Sequence, residues 1–166
     1  MSNTVTSQHR NAIDFASVDP ESAAAVTSMT AYFDELEQRF PGGFDPGDTL
    51  VADADQFRDP QGRFLIGRID GSIACCGGVY LLEPCVAEIK RMWVASEVRG
   101  RGVGGDTLTE LERLAGELGA TAVRLDTNSV LTVAIAMYTS RGYVPIESYN
   151  NNPYAQRWFE KPLVAN

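Results

Sequence analysis

The sequence predicts an α+β domain built on a mixed β-sheet. Two apolar runs, residues 63–69 and 72–82, are joined by Asp70-Gly71, a dipeptide typical of tight hairpin turns. A third strand begins near Val86, and two strand–helix units follow between residues 86 and 140. An antiparallel meander followed by βα units is a mixed α+β arrangement.

The first sixty residues predict one strand, one helix and a long loop. Residues 12–18 alternate weakly between polar and apolar, as in a short strand. Asp19 is the expected N-cap of a helix whose apolar residues continue at helical spacing to Phe40. Residues 41–62 are rich in Gly, Pro and Asp, and predict an irregular loop with one short helix near residues 49–57.

Composition predicts one globular domain, residues 11–166, after a flexible polar tail, residues 1–10. The 166 residues are 44% hydrophobic and 22% charged, which is ordinary for a single domain. No run of about 18 apolar residues and no hydrophobic signal core is present, so we expect a cytoplasmic protein with no membrane partner. Three cysteines and one histidine suggest neither a disulfide framework nor a Cys/His site, so no metal is expected.

The negative charge of the chain is concentrated in its first third. The net charge is −8, which argues against nucleic acid as a partner. Residues 1–60 contain eleven acidic and three basic side chains, whereas residues 61–166 contain eleven of each. The excess can simply favour solubility, or it can attract a cationic acceptor such as an amine.

A turn rich in glycine and arginine, residues 99–105, joins the third strand to a helix. Its sequence is Arg-Gly-Arg-Gly-Val-Gly-Gly, and apolar residues then recur at helical spacing from Leu108 to Leu118. Glycines allow a ligand to approach the backbone, and the free N–H groups at a helix start favour an anion. The turn therefore predicts a phosphate-binding site, with a plain turn and solvated arginines as the alternative.

A dinucleotide-binding oxidoreductase is a competing hypothesis for the same turn. Gly100, Gly102 and Gly105 fit the G-x-G-x-x-G fingerprint, and Asp126 follows at the distance of a ribose-binding acid. However, only 40 residues follow Asp126, too few for further βαβ units. A P-loop is excluded because no Gly-Lys-Ser/Thr follows the glycines.

The rest of the chain predicts one more strand–helix unit and two closing strands. Residues 121–127 alternate as a short strand, and an apolar stripe that includes Met137-Tyr138 predicts a helix ending at Gly142. Residues 143–147 and 156–161 are expected to close the sheet.

Arg99-x-x-Gly102-x-Gly104 resembles the Gln/Arg-x-x-Gly-x-Gly/Ala pyrophosphate loop of the GCN5-related N-acetyltransferases, the GNAT family. The resemblance extends in order from about residue 87 to 163, through Met137-Tyr138 and Gly142-Tyr143. It implies the acyl-CoA N-acyltransferase fold, a strongly bent sheet whose central strands splay apart. It also implies direct transfer of an acetyl group from acetyl-CoA to a primary amine, in a small molecule or a protein, and makes a homodimer plausible.

The resemblance assigns roles to particular residues. A strand near residues 92–94 would pair with the pantetheine amides, and the Val94 N–H would stabilise the oxyanion. The residues expected to contact the coenzyme are Met92, Trp93, Val94, Arg99, Gly100, Arg101, Gly102, Val103, Gly104, Gly105 and Asn128.

Tyr138 and Glu88 are the predicted catalytic residues. By the resemblance, Tyr138 occupies the position of the family's general acid. The role suits a tyrosine, because a phenol stays protonated at neutral pH and can protonate a thiolate. A buried core tyrosine without a catalytic role is the alternative. Glu88, eleven residues before Arg99, resembles in its spacing the catalytic glutamate of histone-type members and is the predicted base; alternation places it on one face with Met92 and Val94. A salt bridge on the strand is the alternative for Glu88.

The predicted helix that contains Tyr138 departs from the family pattern at one expected coenzyme contact. The family often has an asparagine seven residues before the helix tyrosine, where this chain has Leu131, so Asn128 is the substitute candidate.

The acids expected to line the acceptor site are Asp34, Glu35, Asp45 and Asp48. Besides the oxidoreductase, a non-catalytic acyl-CoA-binding module is an alternative function.

Overall fold

The structure, a computed structural model, describes residues 12–46 and 54–164. The predicted tail, residues 1–10, lies outside these ranges, as does the middle of the long loop. At the end of that loop, Ala54–Phe57 forms a single 3-10 turn, where a short helix near residues 49–57 was expected.

The described residues form seven strands and three α-helices in the predicted order. The strands are β1 Asp14–Val18, β2 Gly62–Ile69, β3 Ser72–Glu83, β4 Val86–Val94, β5 Ala122–Thr127, β6 Val144–Ile146 and β7 Arg157–Pro162. The helices are α1 Ala23–Arg39, α2 Val103–Glu117 and α3 Thr132–Ser140.

The strands form one mixed sheet in the order β1-β2-β3-β4-β5-β7-β6. All neighbouring pairs are antiparallel except β4 and β5, which are parallel. The predicted hairpin joins β2 and β3, and both Asp70 and Gly71 have positive φ angles, 50° and 82°. The α+β prediction is therefore confirmed.

The two central strands, β4 and β5, separate after three residue pairs. They are paired only where Val86–Glu88 faces Ala122–Arg124. Further along β4, Arg91 and Met92 lie opposite the single residue Gly77 of β3, so β4 contains a β-bulge. Arg91 has a φ of 58°, as a bulged residue can. The predicted splay is confirmed, and it leaves an opening between the strands.

Each face of the sheet carries its own hydrophobic core. On one face, the α2 side, Leu108 and Leu111 of α2 pack with Val123 and Leu125 of β5. On the other face, the α1 side, Met29 and Phe33 of α1 pack with residues that include Phe57, Phe64 and Tyr80. The sheet thus separates α1 from α2 and α3.

The predicted start of α1 is wrong by about three residues. Ser22, not Asp19, is the N-cap, and its hydroxyl accepts a hydrogen bond from the Ala25 N–H at 3.4 Å. The Asp19 carboxylate accepts instead from the Glu21 N–H and from the Arg58 guanidinium, 39 residues away. Asp19 therefore forms an ion pair with Arg58 and does not cap α1, although aspartate is a residue type typical of helix caps.

Gly78 provides a test of the packing on the α1 side. A Cβ at this position would collide with the buried Phe57 ring. We predict that Gly78→Ala lowers the free energy of unfolding by about 1–3 kcal/mol, as overpacking does, measured by urea denaturation.

Gly116→Ala is the matched control, because no atom outside the neighbouring turns of its own helix lies within 4 Å of the methyl group added at this exposed position of α2. Its helix propensity should raise stability by up to about 1 kcal/mol. Equal destabilisation by both substitutions would contradict the packing described.

Candidate active site

A cavity of about 1120 Å³ occupies the opening between β4 and β5. Its wall combines β4, the glycine turn before α2, the end of β5, and α3. On the α1 side it continues to α1 and to the loop of residues 150–155. The predicted phosphate turn and Tyr138 therefore open onto one cavity.

The glycine turn presents free backbone donors at the start of α2. Gly100 and Gly102 adopt φ angles of 81° and 80°, in the left-handed region that favours glycine. Gly102 is the N-cap and offers no side-chain acceptor. The N–H groups of residues 103–105 donate to no described residue. Together with the helix dipole they form a site for an anion.

Arg141 lies beside these amides, although the sequence interpretation gave it no role. It follows α3, and its guanidinium packs so closely on Gly105 that a Cβ there would collide with it. Its Nη1 donates to Thr109 Oγ1 at 3.0 Å. The motif Arg-Gly-Tyr was visible in the sequence, but only tertiary packing brings Arg141 to the turn.

Arg99 lines the cavity, but its guanidinium is already engaged by other groups of the protein. Its Nε donates to the Val94 carbonyl at 3.0 Å, and its Nη2 lies 2.6 Å from Glu35 Oε1 of α1. Glu35 also accepts from Trp93 Nε1 at 3.1 Å and pairs with Arg39. Arg99 thus ties the turn to α1.

Arg101 is exposed and is absent from the residues that line the cavity. Of the three arginines near the turn, Arg141 is therefore the one whose guanidinium packs on Gly105 at the start of α2.

Tyr138 lies on the same side of the sheet as the glycine turn. Its ring is buried near Tyr143 and Phe159, with ring centroids 5.8 and 6.2 Å away. It lines the cavity together with the turn. Burial, and then the negative charge of Asp126, raise the pKa of the phenol well above its ordinary value near 10.

The backbone of Val94 faces the opening. Val94 and Cys75 are directly opposed, and the Ala95 N–H donates to the Ala74 carbonyl at 2.8 Å. In an antiparallel ladder this pattern marks a non-hydrogen-bonded pair, so the N–H and C=O of Val94 point away from β3. Met92 and Trp93 also line the cavity.

The prediction that Glu88 shares a face with Met92 and Val94 is wrong. Glu88 lies on the α1 side, where its Oε1 accepts from the Tyr80 hydroxyl at 2.6 Å. Met92 and Val94 pack on the α2 side, because the bulge at Arg91 shifts the alternation by one residue. Glu88 is buried and does not line the cavity.

Asn128 and Leu131 both line the cavity. The Asn128 amide donates to the Tyr154 carbonyl at 2.8 Å, and its Oδ1 accepts from the Val130 N–H at 3.0 Å. Leu131 packs against the α1-side core. Asn128, the predicted substitute for the family's asparagine, therefore stabilises the loop that contains Tyr154.

The four predicted acceptor-site acids have different outcomes. Glu35 and Asp45 line the cavity, whereas Asp34 is exposed outside the lining and Asp48 lies beyond the described residues. Asp126, considered from the sequence only as a ribose-binding acid, lines the cavity near Tyr138.

Comparisons with known proteins agree with this geometry. The Acetyltransferase (GNAT) family matches residues 29–143. The chain is 30% identical over 141 residues to the IAA acetyltransferase of Azospirillum brasilense, a match that covers 82% of this chain and 91% of that protein.

The chain belongs to the GNAT acetyltransferase family. The resemblance inferred from the glycine turn and Tyr138 is therefore confirmed, and the chain is an acetyl-CoA-dependent acetyltransferase. The oxidoreductase and non-catalytic hypotheses are set aside by this assignment.

Solved GNAT structures share the fold. An acetyltransferase of the GNAT family from Staphylococcus aureus Mu50 has a TM-score of 0.77 at 15% identity, over 92% of this chain and all of that chain, 100%. A GNAT acetyltransferase from Elizabethkingia anophelis with acetyl-CoA bound has a TM-score of 0.65 at 16% identity, over 91% and 98% of the two chains.

Two further features concern metals and membranes. Within residues 12–46 and 54–164, no cluster of three or more His, Cys, Asp or Glu side chains could hold a metal ion. Across the same ranges, every helix is too short or too polar to cross a membrane.

The position of Arg141 beside the glycine turn predicts that it helps to bind coenzyme A, although it lies outside the glycine motif. We predict that Arg141→Gln raises the Kd for coenzyme A about tenfold, because a charge-assisted hydrogen bond to phosphate is lost. Isothermal titration calorimetry measures this effect without catalysis.

Arg113→Gln is the control, since this exposed arginine on α2 pairs only with Glu110 and Glu117 among the described residues. A Kd unchanged by Arg141→Gln, or raised equally by both variants, would contradict the role of Arg141.

Proposed function

We propose that this GNAT enzyme transfers the acetyl group of acetyl-CoA to a primary amine, in a small molecule or a protein, by direct attack in a ternary complex. One observation carries the proposal: the free amides that open α2 and the Tyr138 phenol face a single cavity, which continues to the α1 side. The two substrates can therefore enter from opposite faces of the sheet.

The residues around the glycine turn fit the diphosphate of coenzyme A. The amides of residues 103–105 and the guanidinium of Arg141 would hold it, and the left-handed Gly100 and Gly102 shape the approach. Arg99 would act by fixing the turn to Val94 and Glu35. The unpaired edge of β4 near residues 92–94 would bind the pantetheine amides.

Acetyl-CoA supplies the acetyl group as a thioester: the amine nitrogen forms a bond to the carbonyl carbon, the carbon–sulphur bond breaks, and the sulphur leaves with the bonding electrons. The Val94 N–H points into the opening and is our candidate for stabilising the negative charge on the carbonyl oxygen. A backbone donor of this kind does not depend on the side chain at position 94.

Tyr138 is the proposed general acid. Its Oη would give its proton to the departing sulphur and regain one from solvent. The raised pKa keeps the phenol protonated at neutral pH, which an acid requires.

Glu88 is not used as a direct base, since it lies outside the cavity wall beneath Tyr80. The proton of the amine is proposed to leave through water. A role for Asn128 in coenzyme binding, the cytoplasmic location, the homodimer and the division into tail and single domain stay predictions from the sequence.

Tyr138→Phe tests the chemical step. We predict that kcat falls about 10²-fold or more, because general acid catalysis is lost, while the Kd for coenzyme A stays within about twofold. Acetyl-CoA consumption is measured on a panel of amines, with product masses confirming acetylation.

Tyr143→Phe is the matched control, because this neighbouring buried phenol contacts Glu112 and does not line the cavity. If Tyr138→Phe keeps the kcat of the unaltered protein under conditions where the chemical step limits the rate, Tyr138 is not the general acid.

The direction of the Tyr138 pKa predicts the pH dependence. An acid works while protonated, and a pKa raised above its ordinary value near 10 moves its ionisation to higher pH. We therefore expect kcat to show no descending limb between pH 7 and about 9.5. A fall in kcat with a midpoint below pH 9 that disappears in Tyr138→Phe would be the contrary result.

A further inference from the structure

Asp126 is a cavity carboxylate that receives only neutral donors from the described residues. Its Oδ2 accepts from Asn150 Nδ2 at 2.6 Å, and its Oδ1 accepts from Asn152 Nδ2 at 3.4 Å. Among these residues it forms no ion pair, whereas the cavity residue Glu35 is paired with Arg39 and Arg99. The negative charge of Asp126 is therefore still available to a ligand.

Asp126 faces the side of the sheet from which the acceptor would enter. Along β5, Val123 and Leu125 pack in the α2-side core, so the alternating residues Arg124 and Asp126 point to the α1 side. Asp126 and Tyr138 line the same cavity, and the charge of Asp126 contributes to the raised pKa of the Tyr138 phenol. A group held by Asp126 would thus lie close to the proposed reaction centre.

An aromatic wall, consisting of Tyr32, Phe33, Phe40, Phe44 and Tyr154, lines the same part of the cavity. Its rings form a continuous set: the centroids of Phe33 and Phe44 are 5.4 Å apart, those of Phe44 and Tyr154 are 4.5 Å apart, and those of Phe40 and Tyr154 are 5.8 Å apart. Phe44 and Tyr154 are only half-buried. Rings of this kind favour an apolar, flat partner.

One loop fixes both the carboxylate and the wall. Asn150 and Asn152 bind Asp126, and Asn150 Oδ1 accepts from Trp158 Nε1 at 3.0 Å. Tyr154 stands two residues after Asn152 in the same loop. Its hydroxyl accepts from the Asp45 N–H at 3.0 Å, which joins the loop to the segment after α1. The negative charge and the aromatic surface are therefore held in a defined relation.

We propose that the acceptor is a monoamine with an aromatic or similarly flat apolar body, which binds Asp126 as its ammonium, packs its body on the aromatic wall, and loses one proton to water before the neutral nitrogen attacks. This proposal rests on the proposed function and names the substrate class of that site. A polyamine or an aminoglycoside carries several cations, whereas the aromatic wall beside Asp126 offers apolar ring surface to the body of the acceptor.

The first experiment compares kcat/KM for 2-phenylethylamine, propylamine, spermidine and kanamycin at saturating acetyl-CoA. We expect the phenyl group to raise kcat/KM at least about tenfold over propylamine, from burial of its apolar surface. We also expect 2-phenylethylamine to exceed spermidine and kanamycin. A higher kcat/KM for spermidine or kanamycin would overturn the proposal.

The second experiment measures binding of 2-phenylethylamine to the protein saturated with coenzyme A, by calorimetry. Asp126→Asn should raise the amine Kd at least about tenfold and leave the coenzyme A Kd within about twofold, whereas Glu147→Gln, an exposed acid, should change neither. Phe44→Leu, which keeps apolar volume without a ring, should weaken 2-phenylethylamine more than propylamine.

These readouts separate the two proposals. Amine binding that requires Asp126, with no acetylated product, would support the site and refute the proposed reaction. Absence of 2-phenylethylamine binding, or binding that Asp126→Asn does not weaken, would refute the site even if other amines are acetylated.

Discussion

The separation of β4 from β5 beyond Glu88 is the constraint on which the rest of the site depends. A continuous ladder would engage the inward-facing backbone of β4 with its neighbour and leave no passage through the sheet. Because pairing stops after three residues, the Val94 backbone, the Tyr138 phenol and the Asp126 carboxylate all border one opening. The bulge at Arg91 accompanies this separation and decides which β4 side chains face each side.

The two ends of the opening have different chemistry. The α2 side offers unpaired helix-start amides and Arg141, which suit an anion. The α1 side offers Asp126 and a set of aromatic rings, which suit a cation with an apolar body. This polarity would give each substrate its own entry, as the proposed direct transfer requires.

Local features were predictable from the sequence, and features that depend on distant contacts were not. The glycine turn and α2 follow from positive-φ requirements and helical spacing within about twenty residues, and the structure has both. The face of Glu88 could not be predicted, because the bulge depends on how β4 is paired with β3.

The same limit applies to the rest of the site. Arg141 reaches Gly105 across 36 positions of sequence, and Asn150 reaches Asp126 across 24. Neither contact leaves a periodic or motif signal. Asp19 resembles a helix cap in the local pattern, because that pattern does not show its distant partner, Arg58.

The most direct test of the account is a crystal structure of the protein with coenzyme A. We expect the diphosphate to lie on the N–H groups of residues 103–105, beside Arg141, and the sulphur to lie between β4 and β5 within about 4 Å of Tyr138 Oη. A diphosphate bound away from the start of α2, or a sulphur on a surface that Tyr138 does not reach, would contradict it.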